Sequence, residues 1–370
     1  TVTIDAGNDK VEVTLDNVNI KAGSGSALTS KGDVTLTLKG DNHLTGGISD
    51  TGNYGRNGIA STGSLTITGG ENGSLTAQGG SGADGGHGGH GIYSNGSLTI
   101  SGGSTVTANG GNGGNVSGDG ICSNGGVTIS GGSTVTANGG SGEDGSGGRG
   151  ITSNGGVTVS GGTVNAKGGS GKNGNGGDGI LSFNPVAISG GTVKSNGGSG
   201  TNSGGYGIIS NDIDLSGSLE LTAKAGSPNG KALSRAGHEF DLDTIKDKLD
   251  PGAKVTTTDA DGKVIQQVSI PRPVEPEKPV IPGDSSSSSG GGSADASVQE
   301  SVFPGLVVTD KDGQRISYTS TQSGNTLTVC VGRFTASLRA SLSTLRQLRA
   351  EGIETITFQT ILCSTTLSVD

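Results

Sequence analysis

Short apolar segments separated by Gly-rich turns run through most of the chain, and their order repeats roughly every 30 residues. The clearest marker is the sequence Gly-Ile-x-Ser, found at Gly58–Ser61, Gly91–Ser94, Gly120–Ser123, Gly150–Ser153, Gly179–Ser182 and Gly207–Ser210. Weaker copies occur at Ala27–Ser30 and Ala232–Ser234. A fixed period of this length is typical of stacked repeats.

Aligned copies place apolar residues in columns, of which one contains Ile59, Ile92, Ile121, Ile151, Ile180 and Ile208. Apolar and polar residues alternate within each segment, as in Leu98-Thr99-Ile100, so alternate side chains point inward. No helical pattern fits between such short strands. The sequence therefore predicts an all-β parallel β-helix, a solenoid of about eight to nine three-stranded coils stacked about 4.8 Å apart.

Asparagine recurs just after the marker sequence, at Asn95, Asn124, Asn154 and Asn211, with Asn184 shifted by one place. Asn tolerates the backbone conformations of tight turns and can hydrogen-bond along a stack. We expect this column to have a structural role.

The pattern changes after the repeats and predicts four regions. Residues 1–235 form the solenoid, and 236–270 cap it with a helix carrying Leu242, Ile245 and Leu249, followed by a hairpin of Val255–Thr258 and Val264–Ile270. Residues 271–300 are a Pro/Ser/Gly linker, and 301–370 are a small α+β domain.

Within the last region the alternation predicts five strands and one helix. The helix covers about 336–350, with Leu338, Leu342, Leu345 and Leu348 on one face. The strands are predicted at Leu306–Thr309, Arg315–Ser320, Thr326–Val331, Thr355–Gln359 and Thr365–Val369.

The composition limits the classes of protein to which the chain can belong and the partners it can bind. The chain has 76 Gly, no Met, no Trp and 2% aromatic residues, too few large side chains for an ordinary globular core. The net charge of −9 disfavours nucleic acid and anionic membranes as partners. No apolar run approaches the ~20 residues of a membrane span. The Gly/Ser/Thr/Asn-rich surface and the linker favour a secreted or cell-surface location, and we expect a monomer.

The three cysteines do not form a disulfide framework. Cys330 and Cys363 lie on predicted strands. The sequence is compatible either with a disulfide between them or with two free thiols. Cys122 occupies the variable position of its repeat and is expected to point outward. The cysteines predict no metal site.

The residues just before each Gly-Ile pair form the most distinctive candidate site: Asn57, His90, Asp119, Arg149, Asp178 and Tyr206. In a stack they form one row. One alternative is a surface charge ladder that contributes little stability. The other is a carbohydrate-binding strip of His90, Asp119, Arg149, Asp178, Tyr206 and Tyr93, with Tyr54 nearby. Its carboxylates would accept sugar hydroxyls and Arg149 would bind a uronate.

Glycine-rich loops such as Gly139-Gly140-Ser141-Gly142-Glu143-Asp144 resemble the GGxGxD unit of calcium-binding β-rolls, although here they occur only once per coil. Calcium is therefore a candidate cofactor, with Asp84 and Asp144 as candidate ligands. The alternative is that the loop backbones pack closely and hydrogen-bond between coils.

Catalysis is not favoured by the sequence, although it is left open. Asp119 and Asp178, two coils apart, would be separated by about 9–10 Å, near the upper limit for an inverting glycosidase. The outward columns carry Thr, Ser and Ala rather than clustered acids and bases.

The run Val34–Gly47, followed by the Gly-Ile-x-Ser and Gly-Gly copies, resembles bacterial surface proteins with a carbohydrate-binding, pectate-lyase-like right-handed parallel β-helix. The resemblance covers about residues 1–235. It implies an extracellular, non-catalytic binder of plant cell-wall or acidic polysaccharide, with calcium between coils as an option. A polysaccharide lyase or hydrolase and a structural stalk or adhesin are the alternatives.

Overall fold

Parallel pairing of equivalent strands dominates this computed structural model. It describes residues 1–49, 53–70, 72–82 and 85–272 and, further on, 306–310, 314–316, 318–333, 335–340, 342–350, 352–360 and 364–368. The chain divides into two units, Thr1–Pro276 and Glu277–Asp370. The first unit is the predicted parallel β-solenoid, with about 11 turns. Its handedness stays a prediction.

The strands of successive turns stack in three columns. The first-strand column contains Val2–Asp16, Leu28–Lys39, Ile59–Ser61, Ile92–Ser94, Ile121–Ser123, Ile151–Ser153, Ile180–Ser182, Ile208–Ser210 and Leu233–Arg235. The column has nine strands. The sequence predicted eight to nine coils, fewer than the solenoid's total of about 11 turns. The register pairs the marker isoleucines directly, for example Ile92 with Ile121 and Ile121 with Ile151.

The second-strand column uses the later parts of Val2–Asp16 and Leu28–Lys39, then Leu65–Gly69, Leu98–Ile100, Val127–Ile129, Val157–Lys167, Val186–Asn196 and Ile213–Leu215. The third-strand column contains Asn19–Lys21, Asp41–Thr45, Ser74–Gln78, Thr105–Asn109, Thr134–Asn138, the later parts of Val157–Lys167 and Val186–Asn196, Glu220–Lys224 and Lys254–Thr258.

The interior is filled by the predicted apolar columns. Ile92, Ile121 and Ile151 are fully buried, as are Ile129 of the second-strand column and Val135 of the third. Each such side chain contributes about 1.5–3 kcal/mol of burial free energy. A single coil has too few of them to fold alone, so stability comes from stacking.

The serine of the marker sequence also points inward and links successive coils. Ser123 Oγ donates to Gly96 O of the preceding coil at 2.9 Å, and Ser153 Oγ donates to Gly125 O at 2.9 Å. Both serines are buried. The motif therefore keeps a hydroxyl there because it satisfies carbonyl groups at the turns.

Residues after the last marker copy extend the same core. The strand Lys254–Thr258 pairs in parallel with Glu220–Lys224, and Val264–Ser269 then pairs antiparallel to it. Between Glu220–Lys224 and Lys254–Thr258, the segment Leu242–Lys248 is a 3₁₀ helix whose Leu242 and Ile245 are buried. It begins after Asp241, whose carboxylate accepts the N–H of Asp243.

In the second unit, Thr319–Ser323, Thr326–Cys330, Thr355–Gln359 and Ser364–Ser368 form a four-stranded sheet. Its central pair, Thr326–Cys330 and Thr355–Gln359, is parallel. The helix is shorter than predicted, Leu342–Ala350. Its expected first turns are instead the strand Ser337–Ala340, because this segment pairs with Leu306–Thr309. The strand expected at Arg315–Ser320 begins later, at Thr319.

Cys330 is a free thiol near Gln359, and Cys363 lies outside the described residues. The predicted linker falls almost wholly outside them as well. Within the described residues, no helix is both long and apolar enough to cross a membrane.

Candidate functional site

The predicted row is brought together by the parallel stack. The residue that follows each row member donates its N–H to the next row member's carbonyl: Gly91 N to Asp119 O at 3.0 Å, Gly120 N to Arg149 O at 2.9 Å and Gly150 N to Asp178 O at 2.9 Å. Successive row members therefore lie on adjacent coils, at the junction between the Gly-rich loops and the first-strand column.

Most row side chains accept a backbone N–H from the next coil. The pairs are Asn57 Oδ1 with His90 N at 2.8 Å, His90 Nδ1 with Asp119 N at 3.0 Å, Asp119 Oδ1 with Arg149 N at 2.7 Å and Asp178 Oδ1 with Tyr206 N at 2.7 Å. We call this series the junction ladder. It satisfies amides that would otherwise be partly buried without an acceptor. The accepting side chains have in common a hydrogen-bond acceptor, not a charge.

Asp119 is the most enclosed member, with 6% of its surface exposed. Its Oδ1 accepts the Arg149 N–H, and its Oδ2 accepts the Thr152 hydroxyl at 2.8 Å. A sugar hydroxyl would have to compete with these bonds. The position of Asp119 thus fits an internal acceptor better than a surface contact.

Asp178 and Arg149 form an ion pair, with 3.2 Å between Arg149 Nε and Asp178 Oδ2. Burial raises the pKa of Asp178 above its ordinary value, while the Tyr206 N–H and Arg149 oppose the rise. The guanidinium side chain is 43% exposed, whereas the carboxylate is 13% exposed. Arg149 is therefore the charged row member most open to solvent.

His90 is held as a neutral ring. Because Nδ1 accepts the Asp119 N–H, that nitrogen carries no proton. Burial lowers the pKa of His90, although the negative charge of Asp119 opposes the shift. The 4.0 Å approach of Nδ1 to Asp119 Oδ2 is therefore not an ion pair between charged groups. The His90 ring stacks on Tyr93, with centroids 5.9 Å apart.

The predicted column of Asn residues lies at the opposite end of the first strands, just after each strand ends. Asn124 Nδ2 donates to Asn95 Oδ1 at 2.8 Å and to the Tyr93 hydroxyl at 2.9 Å, and Asn154 Nδ2 donates to Asn124 Oδ1 at 3.2 Å. We call this the amide ladder. All three Asn side chains are exposed. On the next coil Phe183 takes the corresponding place and is 54% exposed.

The remaining aromatic candidates lie apart from this ladder. Tyr206 is half-buried and contacts Lys231, whose Nζ lies 5.8 Å from the ring centroid. Tyr54 is exposed and packs against His87, with ring centroids 5.4 Å apart. The tyrosine rings therefore provide separate apolar surfaces and do not form one continuous face.

Cys122 belongs with the junction ladder, which the sequence did not indicate. It points outward, as predicted, between the buried residues Ile121 and Ser123. A ligand atom of His90, of Asp119 and of Cys122 lie within 4.8 Å of one another. Burial, and then the charge of Asp119, raise the pKa of the Cys122 thiol to about 12. Periodicity could not reveal this group, since it depends on which way the row side chains turn.

Of the two candidate calcium ligands, Asp144 is exposed and accepts a hydrogen bond from Asn173 Nδ2 at 3.3 Å. Asp84 lies outside the described residues. Among the described residues, His90, Asp119 and Cys122 are the only three His, Cys, Asp or Glu side chains grouped closely enough to share a metal ion. Calcium in the loops stays a prediction.

The Gly-rich loops form backbone hydrogen bonds between coils, as the second interpretation of their sequence predicted. Gly111 N donates to Gly89 O at 2.8 Å, Gly118 N to Gly111 O at 2.9 Å, and Gly140 N to Gly118 O at 2.9 Å. The series continues through Gly148, Gly169, Gly177, Gly198, Gly205, Gly226 and Gly230. In this series, bonds within one loop, such as Gly118 N to Gly111 O, alternate with bonds between successive loops, and we call it the glycine chain.

Comparison of the sequence and structure with protein-family models, with characterised proteins and with solved structures gives no match. The resemblance to carbohydrate-binding β-helix surface proteins therefore stays a prediction from the sequence. The solenoid fold itself rests on the parallel strand register described above.

Proposed function

We propose that the chain is a secreted or cell-surface, non-catalytic polysaccharide-binding protein that presents the outer face of its first-strand column to the glycan. The observation that carries the proposal is the exposed amide ladder, which ends beside the exposed ring of Phe183. Asn side chains both donate to and accept from hydroxyl groups. Aromatic rings pack against the apolar faces of pyranose rings.

The repeat of the stack supports this choice of ligand. Equivalent side chains recur about every 4.8 Å along the first-strand column, a spacing comparable to one sugar residue. A regular polymer can therefore contact several coils in the same way. At the opposite edge of this face, Arg149 presents a partly exposed guanidinium that suits a uronate carboxylate.

The carboxylates of the junction ladder support binding without cleavage. Both oxygens of Asp119 and both oxygens of Asp178 accept hydrogen bonds from within the protein. A general acid or base must instead be able to reach a substrate proton. The proposed contact surface is therefore the amide ladder, Phe183 and Arg149 rather than the Asp119–Asp178 strip.

The test is affinity electrophoresis of the full chain in gels that contain polygalacturonate, pectin or a neutral glucan. The combined variant Asn154→Ala, Phe183→Ala should bind its preferred glycan about tenfold more weakly or worse, since a hydrogen bond and a ring contact contribute about 1 kcal/mol each. The control Thr107→Ala, Thr136→Ala changes outward residues of the third-strand column.

Equal binding by the parent chain and the amide-ladder variant would disprove the proposed face. No retardation of the parent chain in any gel would disprove polysaccharide binding. Release of unsaturated products from polygalacturonate would favour the lyase alternative instead.

A stalk or adhesin is the second candidate. The division into two units favours it, because a stacked solenoid can act as a spacer for a separate module. Deletion of 301–370 that leaves glycan binding intact but abolishes retention at the cell surface would support that role.

A further inference from the structure

The group formed by His90, Asp119 and Cys122 differs from every other position along the junction ladder. The register that pairs Ile92 with Ile121 places His90 beside Asp119, and the outward turn of Cys122 adds a thiol to them. At the position of Cys122, the neighbouring coils carry Tyr93, Thr152, Leu181 and Ile209. Imidazole, carboxylate and thiol therefore meet at a single place in the described stack.

We infer that His90, Asp119 and Cys122 bind a zinc ion, with the fourth coordination position open to solvent. A mixed nitrogen, sulfur and carboxylate donor set suits Zn²⁺, whereas Ca²⁺ and Mg²⁺ require oxygen ligands throughout. Ligand atoms around tetrahedral zinc lie about 3.3–3.7 Å apart. The three donors now lie within 4.8 Å, and His90 Nδ1 is 4.0 Å from Asp119 Oδ2. Zinc binding therefore requires the donor atoms to approach one another by at most about 1–1.5 Å.

Neighbouring groups already orient two of the three ligands. The Arg149 N–H and the Thr152 hydroxyl hold the Asp119 carboxylate, and Tyr93 stacks on the His90 ring. Such supporting contacts position metal ligands and raise affinity. The half-buried thiol and ring leave a route for the ion from solvent.

Two costs accompany binding. Zinc on His90 Nδ1 displaces the Asp119 N–H, and leaving that amide without an acceptor costs the full penalty of its desolvation, more than the net value of one ordinary hydrogen bond. The Cys122 thiol must also lose its proton, which goes to solvent. A divalent cation at bonding distance strongly stabilises the thiolate, so zinc itself provides the positive charge that favours loss of the thiol proton.

Cobalt titration of the full chain, purified without metal, tests the inference because tetrahedral Co²⁺ reports its ligands spectroscopically. We expect one equivalent of Co²⁺ to produce a thiolate-to-cobalt charge-transfer band in the near ultraviolet, and zinc to abolish that band. Cys122→Ser should remove the band and weaken zinc binding about 100-fold or more. Cys330→Ser is the matched control, since Cys330 is a free thiol of the second unit, and it should leave the band unchanged.

His90→Asn separates metal binding from folding. Asn at this position can still accept the next backbone N–H, as Asn57 does one coil earlier, so the coil should stay folded by circular dichroism. The charge-transfer band should shift or weaken. A parent chain without a thiolate band, or a band that survives Cys122→Ser, would overturn the zinc site. Neither result bears on glycan binding by the amide ladder.

Discussion

The strand sides and the loop side of each turn are held together in opposite ways. On the strand sides, apolar side chains such as Ile121 and Ile129 fill the interior and are fully buried. On the loop side, the glycine chain places backbone against backbone. A Cβ atom built on Gly111, Gly118 or Gly148 would lie closer than 3.0 Å to a carbonyl group of a neighbouring loop.

This difference shows that one stack can be closed by two kinds of contact. The strand sides exclude water through buried apolar area, whereas the loop side depends on hydrogen bonds and on the absence of side chains. The strand sides should therefore tolerate conservative changes of shape, whereas the glycine-chain positions should not tolerate an added methyl group.

The largest effect is expected on the strand sides. Ile129→Ala leaves a cavity in a fully buried position and should lower the free energy of unfolding by about 2–5 kcal/mol. Thr158→Ala is the control, because Thr158 is exposed on the next coil, paired in register with Thr128. It should change the free energy by less than about 0.5 kcal/mol. Urea denaturation followed by circular dichroism measures both, and equal midpoints would contradict the interior role of this column.

A smaller but more specific effect is expected in the glycine chain. Gly148→Ala places a methyl group against Gly118 O and strains the bonds from Gly148 N to Gly140 O and from Gly169 N to Gly148 O. We expect a loss of about 1–3 kcal/mol in the free energy of unfolding.

Gly161→Ala provides the matched control. Nothing lies within 4 Å of a Cβ built on Gly161. Its substitution should be neutral or stabilising by up to about 1 kcal/mol, because alanine restricts the unfolded chain. If the two alanine variants unfold at the same urea concentration, close backbone packing does not stabilise the loop side.

The strand sides were predictable from the sequence because period-two alternation specifies which residues point inward. The marker isoleucines, the stacked Asn residues and the row before Gly-Ile all follow from the repeat of about 30 residues. Side-chain direction within the row does not, since Asp119 could turn toward solvent or toward Arg149 N without changing the repeat. The burial of Asp119 and the proximity of Cys122 are therefore seen only in the structure.

The regions outside the repeat show a second limit. Leu242, Ile245 and Leu249 predicted a helix, and Leu242–Lys248 forms a 3₁₀ helix that ends before Leu249. The spacing of three residues between Leu242 and Ile245 suits both kinds of helix. Leu338 continued a helical pattern, yet Ser337–Ala340 pairs as a strand. In the second case a long-range partner outweighs local periodicity, and a single sequence does not name that partner.

The smallest expected effect lies at the junction between the two sides, where Asp178 accepts the Tyr206 N–H. Asn57 performs the same task without charge, so the junction should need an acceptor rather than a carboxylate. Burial raises the pKa of Asp178 above the ordinary 3.8, so the native state holds this proton more tightly than the unfolded chain does. Stability should therefore fall as pH rises from about 3.8 through the higher pKa of the folded protein.

Asp178→Asn removes this titration and keeps the acceptor for Tyr206 N. The variant should gain stability relative to the parent as pH rises through that window, and the difference should level off above it. Arg149 loses its partner, but its guanidinium is partly exposed and remains solvated, so that loss should be small. Urea midpoints measured at a series of pH values test this, with Thr158→Ala expected to follow the parent profile. A difference that moves in the opposite direction would mean that the Arg149 ion pair, rather than the acceptor alone, stabilises the junction.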